Sequence, residues 1–211
     1  MKIALINENS QASKNNIIYD ALKEVADKKG YEVINFGMYG DADEESITYV
    51  QAGLLTAILL NSKVVDFVVT GCGTGEGAML AANSFPNVIC GHISDPSDAY
   101  MFSQINDGNA VAIPFAKGFG WGAELNLRYM FEKLFEEESG GGYPKERAIP
   151  EKANKKILDE VKKVTYVDFL DILKNIDRNL ILGVLNLPKF KEYFFENSKD
   201  EKINEFFKSI M

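Results

Sequence analysis

Histidine is nearly missing from this sequence. His92 is the only one in 211 residues, which excludes a multi-histidine metal site within one chain. Cysteine is scarce too. Cys72 and Cys90 give no disulfide framework and read as free thiols of a reducing compartment. Long apolar runs are lacking, and none approaches the roughly 20 residues that a membrane helix needs. The apolar stretch after Lys2 is too short for a signal peptide. The expectation is a cytoplasmic protein without a membrane partner. Positive charge is in the minority: 23 Lys and Arg stand against 31 Asp and Glu, a net charge of −8. That balance argues against nucleic acid as a partner, because such binding depends on neutralising phosphates.

What the chain has is glycine in one place. Thr70-Gly71-Cys72-Gly73-Thr74-Gly75-Glu76-Gly77-Ala78-Met79 follows the apolar run Val64, Val65, Phe67, Val68, Val69. It precedes a small-residue run from Ala78 to Ala82. The pattern is strand, glycine loop, helix. Glycine permits positive φ and close approach of a ligand to the backbone. The first N–H groups of a helix can hold an anion.

The rest of the chain repeats the alternation. Ile3 to Ile6 is a strand that ends in a polar lip, Asn7-Glu8-Asn9-Ser10. Lys14 to Lys29 has helical spacing and stops at Gly30. Tyr31 to Phe36 is a second strand, followed by a loop over residues 37–41. Ile47 to Asn61 is helical, with Val50, Leu54, Ala57 and Ile58 on one face. Asn87 to Ile93 and Ala110 to Ile113 are the fourth and fifth strands, with a helix from Ser97 to Asn106 between them. Asp95-Pro96-Ser97-Asp98 reads as a turn and N-cap. A long helix runs from Gly122 to Glu138, and Glu136 to Pro144 is a turn or linker. Short helices follow at Val164 to Ile176, Leu180 to Leu187, Phe190 to Phe195 and Ile203 to Ile210.

Five alternations predict an α/β fold: a five-stranded parallel sheet in a three-layer α/β/α sandwich, with a C-terminal helical extension. Strands one and three should be neighbours, with the ligand crevice at their carboxyl ends. The lip Asn7, Glu8, Asn9 then faces Cys72 to Glu76. The expected boundary puts the α/β domain at residues 1–147 and the extension at 148–211.

The chemistry that fits the loop is proton abstraction beside a carbonyl, which needs a base and a holder for the developing oxyanion. Cys72 sits where a helix dipole favours a thiolate. Glu76 is either a base or a charge that complements the dipole. Thr74 supplies a hydroxyl, and backbone N–H groups of residues 73 to 77 can hold the oxygen. Cys72 can equally be an inert small apolar residue after a strand. A rival reading uses the same letters: Gly73-Thr74-Gly75-Glu76-Gly77-Ala78 fits a dinucleotide fingerprint, with Asp95 about twenty residues on. That fingerprint normally follows the first strand of its unit, and this one follows the third.

Gly71-Cys72-Gly73-Thr74-Gly75, continued by Ala81-Ala82-Asn83, resembles the signature of ribose-5-phosphate isomerase B and the related galactose-6-phosphate isomerase subunits. Lys2-Ile3-Ala4-Leu5, Gly30-Tyr31-Glu32-Val33, Asn106-Asp107-Gly108-Asn109-Ala110-Val111-Ala112, Gly141-Gly142 and Arg147 extend it over residues 1–147. The resemblance implies aldose–ketose interconversion of a pentose or hexose phosphate through an enediolate, without metal or organic cofactor. It implies a homodimer or higher oligomer with sites shared between subunits. Cys72 matches the base of one branch and Glu76 the base of another. Gly73, Gly75, Gly77 and Asn106 match the anion hole, Tyr39 a substrate contact, and Arg147 a phosphate arginine.

Other positions depart from the family. Its early aspartate–histidine pair is Glu8-Asn9 here, and the ring-opening histidine is Ile105. One phosphate arginine falls at Tyr143, followed by Lys145, and Lys117 lies one residue from another arginine position. The enediolate step carries over; ribose 5-phosphate as substrate does not. The alternatives are a non-catalytic sugar-phosphate-binding protein and a nucleotide-binding protein. His92 is expected as a hydrogen-bonded structural residue, with a replacement proton shuttle as its other reading.

Overall fold

Five short apolar runs become strands: β1 (Lys2–Asn7), β2 (Glu32–Asn35), β3 (Phe67–Cys72), β4 (Cys90–His92) and β5 (Ala110–Pro114). The computed structural model describes residues 1–40 and 46–211. Asp41, the last residue of the expected loop, lies outside the described residues. The strands form one parallel sheet in the order β2-β1-β3-β5-β4. The α/β fold is as predicted, and β1 and β3 are neighbours, with Leu5 opposite Val69.

Alternate residues of each strand serve two cores. Ile3, Leu5, Val69, Val111 and Ile113 meet Leu22, Leu127 and Phe131. These belong to the face covered by α1 (Asn15–Lys28), α4 (Pro96–Met101) and α5 (Ala123–Leu134). On the other face Ala4, Val68, Ala110 and Ala112 are small enough for α2 (Tyr49–Asn61) and α3 (Glu76–Asn83) to lie close. Gly53 of α2 is the contact point: a Cβ there would lie 2.6 Å from that of Ala81.

Over α2 lie the helices of the chain's end, α7 (Phe169–Asn175), α8 (Arg178–Leu185), α9 (Pro188–Asn197) and α10 (Glu201–Ile210). Phe169, Leu173, Val184, Phe190, Phe194 and Phe207 share one core with the sheet face. This second cover corrects the one-sided reading of α2. Residues 52 to 59 are buried without a break, whereas Val50 is exposed. A helix buried all round needs no polar face.

Other boundaries also differ. β4 is three residues long, not the expected seven of Asn87–Ile93. α5 stops at Leu134, four residues before Glu138. The expected Val164–Ile176 helix is two helices. Its start belongs to α6 (Ala148–Thr165), an 18-residue helix that the sequence pattern did not reveal. α6 buries none of its residues. Its charge-rich composition follows a Gly/Pro segment, so no buried stripe marks it. The caps behave as sequence predicts. Thr48 and Gln51 form a capping box for α2, Gly30 at φ +69° follows α1, and Asp95 accepts from Ser97 N and Asp98 N.

Three buried asparagines tie the carboxyl ends of β1 and β2 to α1. Asn15 and Asn35 exchange side-chain hydrogen bonds of 3.1 and 2.6 Å. Asn7 Nδ2 donates to Gln11 O at 3.1 Å. Asn35 Oδ1 also accepts from Gly37 N at 3.0 Å. Removing one amide strands its partners away from water, at about 1–3 kcal/mol per orphaned group. Asn15→Ala should therefore lower unfolding free energy in urea by about 2 kcal/mol, whereas Asn154→Ala at an exposed helix position should cost less than about 1 kcal/mol.

Candidate active site

β1 and β5 lead into helices on one face of the sheet, whereas β3 leads into α3 on the other. The loop after β3 is therefore flanked on both sides by chain departing the opposite way. Ligands bind at such reversals, outside the carboxyl ends of the strands.

Gly71 shows why this loop is glycine-rich. A Cβ there would lie 2.3 Å from Ile113 O and 2.4 Å from the Phe115 ring. The close approach lets the next residues latch. Phe115 N donates to Cys72 O at 2.9 Å, and Ala116 N and Lys117 N donate to Gly73 O at 3.0 and 3.1 Å. Gly75, at φ +78°, is the N-cap of α3. A Cβ on it would meet the His92 ring at 2.8 Å.

His92 Nε2 lies 2.9 Å from Thr74 O. A carbonyl only accepts, so Nε2 carries the proton. His92 therefore buttresses the loop from behind. The first helical bond of α3 runs from Met79 N to Gly75 O at 3.0 Å. The N–H groups of Glu76, Gly77 and Ala78 have no intrahelical acceptor.

Cys72 is 8% exposed, at the carboxyl end of β3. Thr74 and Glu76 are exposed above it, Glu76 in the first turn of α3. Burial pushes Cys90 up to about 12, which keeps it protonated.

The lip after β1 folds into a 3-10 turn, Asn9–Lys14. Glu8 is buried and caps it, accepting from Ser10 N at 3.0 Å and from Ser10 Oγ. Asn9 is exposed, its N–H on Ile47 O at 2.8 Å. Tyr39 stands at the same pole, its hydroxyl donating to Asn35 O at 2.8 Å. Sequence reading missed two residues here. Gln11 Nε2 is 3.8 Å from where a Gly73 Cβ would be. Lys14 Nζ donates to Gln11 Oε1 at 2.7 Å and to Phe115 O. No periodicity signals either, because their partners are distant in sequence.

The remaining candidates are not brought to this loop. Asn106 ends the π turn Phe102–Asn106, before β5. β5 starts at Ala110, opposite Val68, four residues before Cys72. That offset is about 13 Å along the strand. Lys145 reaches Gln104 Oε1 at 3.3 Å and pairs with Glu137. Arg147 Nε lies 3.5 Å from Glu151 Oε1 at the start of α6. Gly140 N and Gly142 N fasten this segment to Ser103 O and Gln104 O at 2.9 and 3.0 Å. Among the described residues, no hydrogen bond or ion pair joins Asn106, Lys145 or Arg147 to the glycine loop. Nor is any helix of the described residues long and apolar enough to cross a membrane.

Comparison with known proteins places this arrangement. The profile of the ribose/galactose isomerase family matches residues 3–139, and a second profile, described as ribose-5-phosphate isomerase, matches 164–210. The solved structure of a 4-deoxy-L-threo-5-hexosulose-uronate ketol-isomerase, in complex with a tartrate, is 63% identical to this chain. It covers 100% of this chain and 99% of its own, with a TM-score of 0.98. A ribose-5-phosphate isomerase from Vibrio parahaemolyticus is 48% identical, with the same coverage and a TM-score of 0.96. Among curated proteins, Escherichia coli ribose-5-phosphate isomerase B is 32% identical over 85 residues, 40% of this chain. That match spans about half, 55%, of the Escherichia coli protein's length. Profile, fold and glycine loop agree: the chain belongs to the ribose/galactose isomerase family.

Proposed function

We propose that the protein is a ketol-isomerase acting on an acidic open-chain sugar of the hexosulose-uronate type, by proton transfer through an enediolate. Ile105 carries this reading. It stands where the family resemblance implies a ring-opening histidine, and isoleucine cannot move a proton. A 4-deoxy-5-hexosulose uronate has no hydroxyl on carbon 4 or carbon 5, so it cannot close the usual sugar ring. An enzyme for such a chain has no ring to open. Tyr143 in place of a phosphate arginine fits a carboxylate end rather than a phosphate. The 63% identical uronate isomerase supports both points.

The loop then works as follows. Cys72 or Glu76 takes the proton from carbon 2, and the carbon-1 oxygen gains the charge. N–H groups of residues 73 to 78 face that charge, where fixed donors act without reorganising. The proton returns to carbon 1. The hydroxyl hydrogen of carbon 2 passes to the carbon-1 oxygen, through Thr74 or water, and leaves the ketose. Glu8, Asn9, Tyr39 and Lys117 border the substrate.

Asn106, Lys145 and Arg147 come from a second copy in a homodimer. Their separation from Cys72 within one chain supports this. So does the exposed apolar stripe Ile149, Ile157, Leu158, Val161 and Val164 on α6. A second reading, isomerisation of a sugar phosphate, is favoured by the ribose-5-phosphate isomerases among the relatives.

Three measurements test this. In deuterated water, the uronate should be isomerised with deuterium gained at the transferred position, and pentose and hexose phosphates should react at least about 10²-fold more slowly. Faster turnover of a phosphate would reverse the choice, and binding of either class with no deuterium gain would leave a binding protein in place of an enzyme. Replacing the true base, by Cys72→Ala or Glu76→Gln, should cut kcat on the order of 10²–10⁴-fold, and the other replacement much less. Finally, a Cys72→Ala, Glu76→Gln double variant and an Asn106→Ala, Arg147→Ala double variant should each be inactive alone. Mixed one to one after dissociation, they should recover about a quarter of wild-type activity, because half the dimers then hold one whole site.

A further inference from the structure

Lys14 is a cation at the candidate site that no sequence motif assigns. It ends the 3-10 turn after β1 and immediately precedes α1. Its ammonium is fixed from three directions. Nζ donates to Gln11 Oε1 at 2.7 Å and to Phe115 O, and it stands 4.7 Å from the centre of the Phe119 ring. Phe115 N in turn donates to Cys72 O, and Gln11 packs against Gly73. Lys14 is thus one residue removed from the glycine loop on two independent sides.

The partners are neutral oxygens and a ring. Among the described residues no carboxylate pairs with Lys14, unlike Lys145 with Glu137 and Arg147 with Glu151. An ammonium has three N–H donors, and two are used here. One donor and the whole positive charge remain. Burial lowers the Lys14 pKa, because its surroundings solvate the charge less well than water does. Such a cation gains more from an arriving anion than one in bulk water. Lys117, exposed on the loop that carries Phe115 and Phe119, brings a second cation to the same edge through its N–H on Gly73 O.

We propose that Lys14 is a substrate-binding residue that anchors the carboxylate end of the substrate on the Gly73 side of the loop, in the same chain as Cys72. The reacting carbons then lie over Cys72 and the N–H groups of α3, and the charged end extends toward the loop after β5. Gln11 and Phe119 are positioning residues that hold the ammonium. The identity of the anion rests on the uronate reading above; the role of Lys14 as an anion anchor does not.

The test uses the full-length protein, tartrate as the anionic probe, and the uronate as substrate. Lys14→Met keeps the stem and removes the charge; Lys14→Arg keeps the charge. Wild type should bind tartrate by calorimetry, Lys14→Met about 10–100-fold more weakly, and Lys14→Arg within about 5-fold of wild type. In turnover, Lys14→Met should raise KM by a similar factor and leave kcat within about 3-fold. A merely structural lysine would lower the melting temperature of both variants without this split. Unchanged tartrate affinity and KM in Lys14→Met, or no tartrate binding by wild type, overturns the proposal. Should wild type turn over a sugar phosphate but not the uronate, the uronate reading falls, and the tartrate affinities and the KM for that phosphate still decide Lys14.

Discussion

The close approach of β3 and β5 at Gly71 is the constraint on which the candidate site depends. No side chain fits between Gly71 and Ile113 O, a gap of 2.3 Å to an added Cβ. Because the strands come so near, backbone N–H groups of the β5 loop reach Cys72 O and Gly73 O. That latch holds the chain on both sides of the thiol. It also sets Phe115 where its carbonyl can receive Lys14. His92 supports the same loop from the end of β4, through Thr74 O. Residues from four strands and their loops thus converge on one short stretch of backbone. The first N–H groups of α3, which any helix leaves without internal acceptors, follow directly on this stretch.

The final helices act on this frame from a distance. α7 to α10 cover α2, and α2 packs on α3 through Gly53 and Ala81. α3 is the helix whose first turn carries Glu76. Aromatic packing among Phe190, Phe194 and Phe207 closes the outer layer. The burial of α2 on all sides follows from that cover. α6 stands apart from it, with an apolar stripe turned to solvent within one chain.

The candidate residues fall into two groups, and their surroundings differ. Around the glycine loop the polar groups are held by backbone and neutral side chains: Glu8 by Ser10, Lys14 by Gln11 and Phe115, His92 by Thr74 O. At Asn106 to Arg147 the cations are paired with carboxylates: Arg147 with Glu151, which is largely buried, and Lys145 with the exposed Glu137, a kind of pair that is weak and exchangeable. An incoming anion can replace such a carboxylate at small cost. The first group is built and rigid; the second is open to rearrangement.

The sequence by itself determined the alternation of strands and helices, the glycine loop with Cys72 and Glu76, and the neighbouring of β1 and β3. Those features are local: an apolar run, a capping residue or a glycine declares each within about ten residues, and handedness then limits the topology. Beyond that reach it determined less. Helix α6 escaped because its apolar residues Ile149, Ile157 and Val164 stay exposed and no burial shapes its pattern. The all-round burial of α2 was invisible because its second cover arrives more than a hundred residues later. Only the tertiary structure placed Lys14 beside Phe115, a hundred and one residues away, and left Asn106, among the described residues, without a hydrogen bond to the glycine loop. Periodicity records which face of an element is buried; it carries no record of which distant loops then meet.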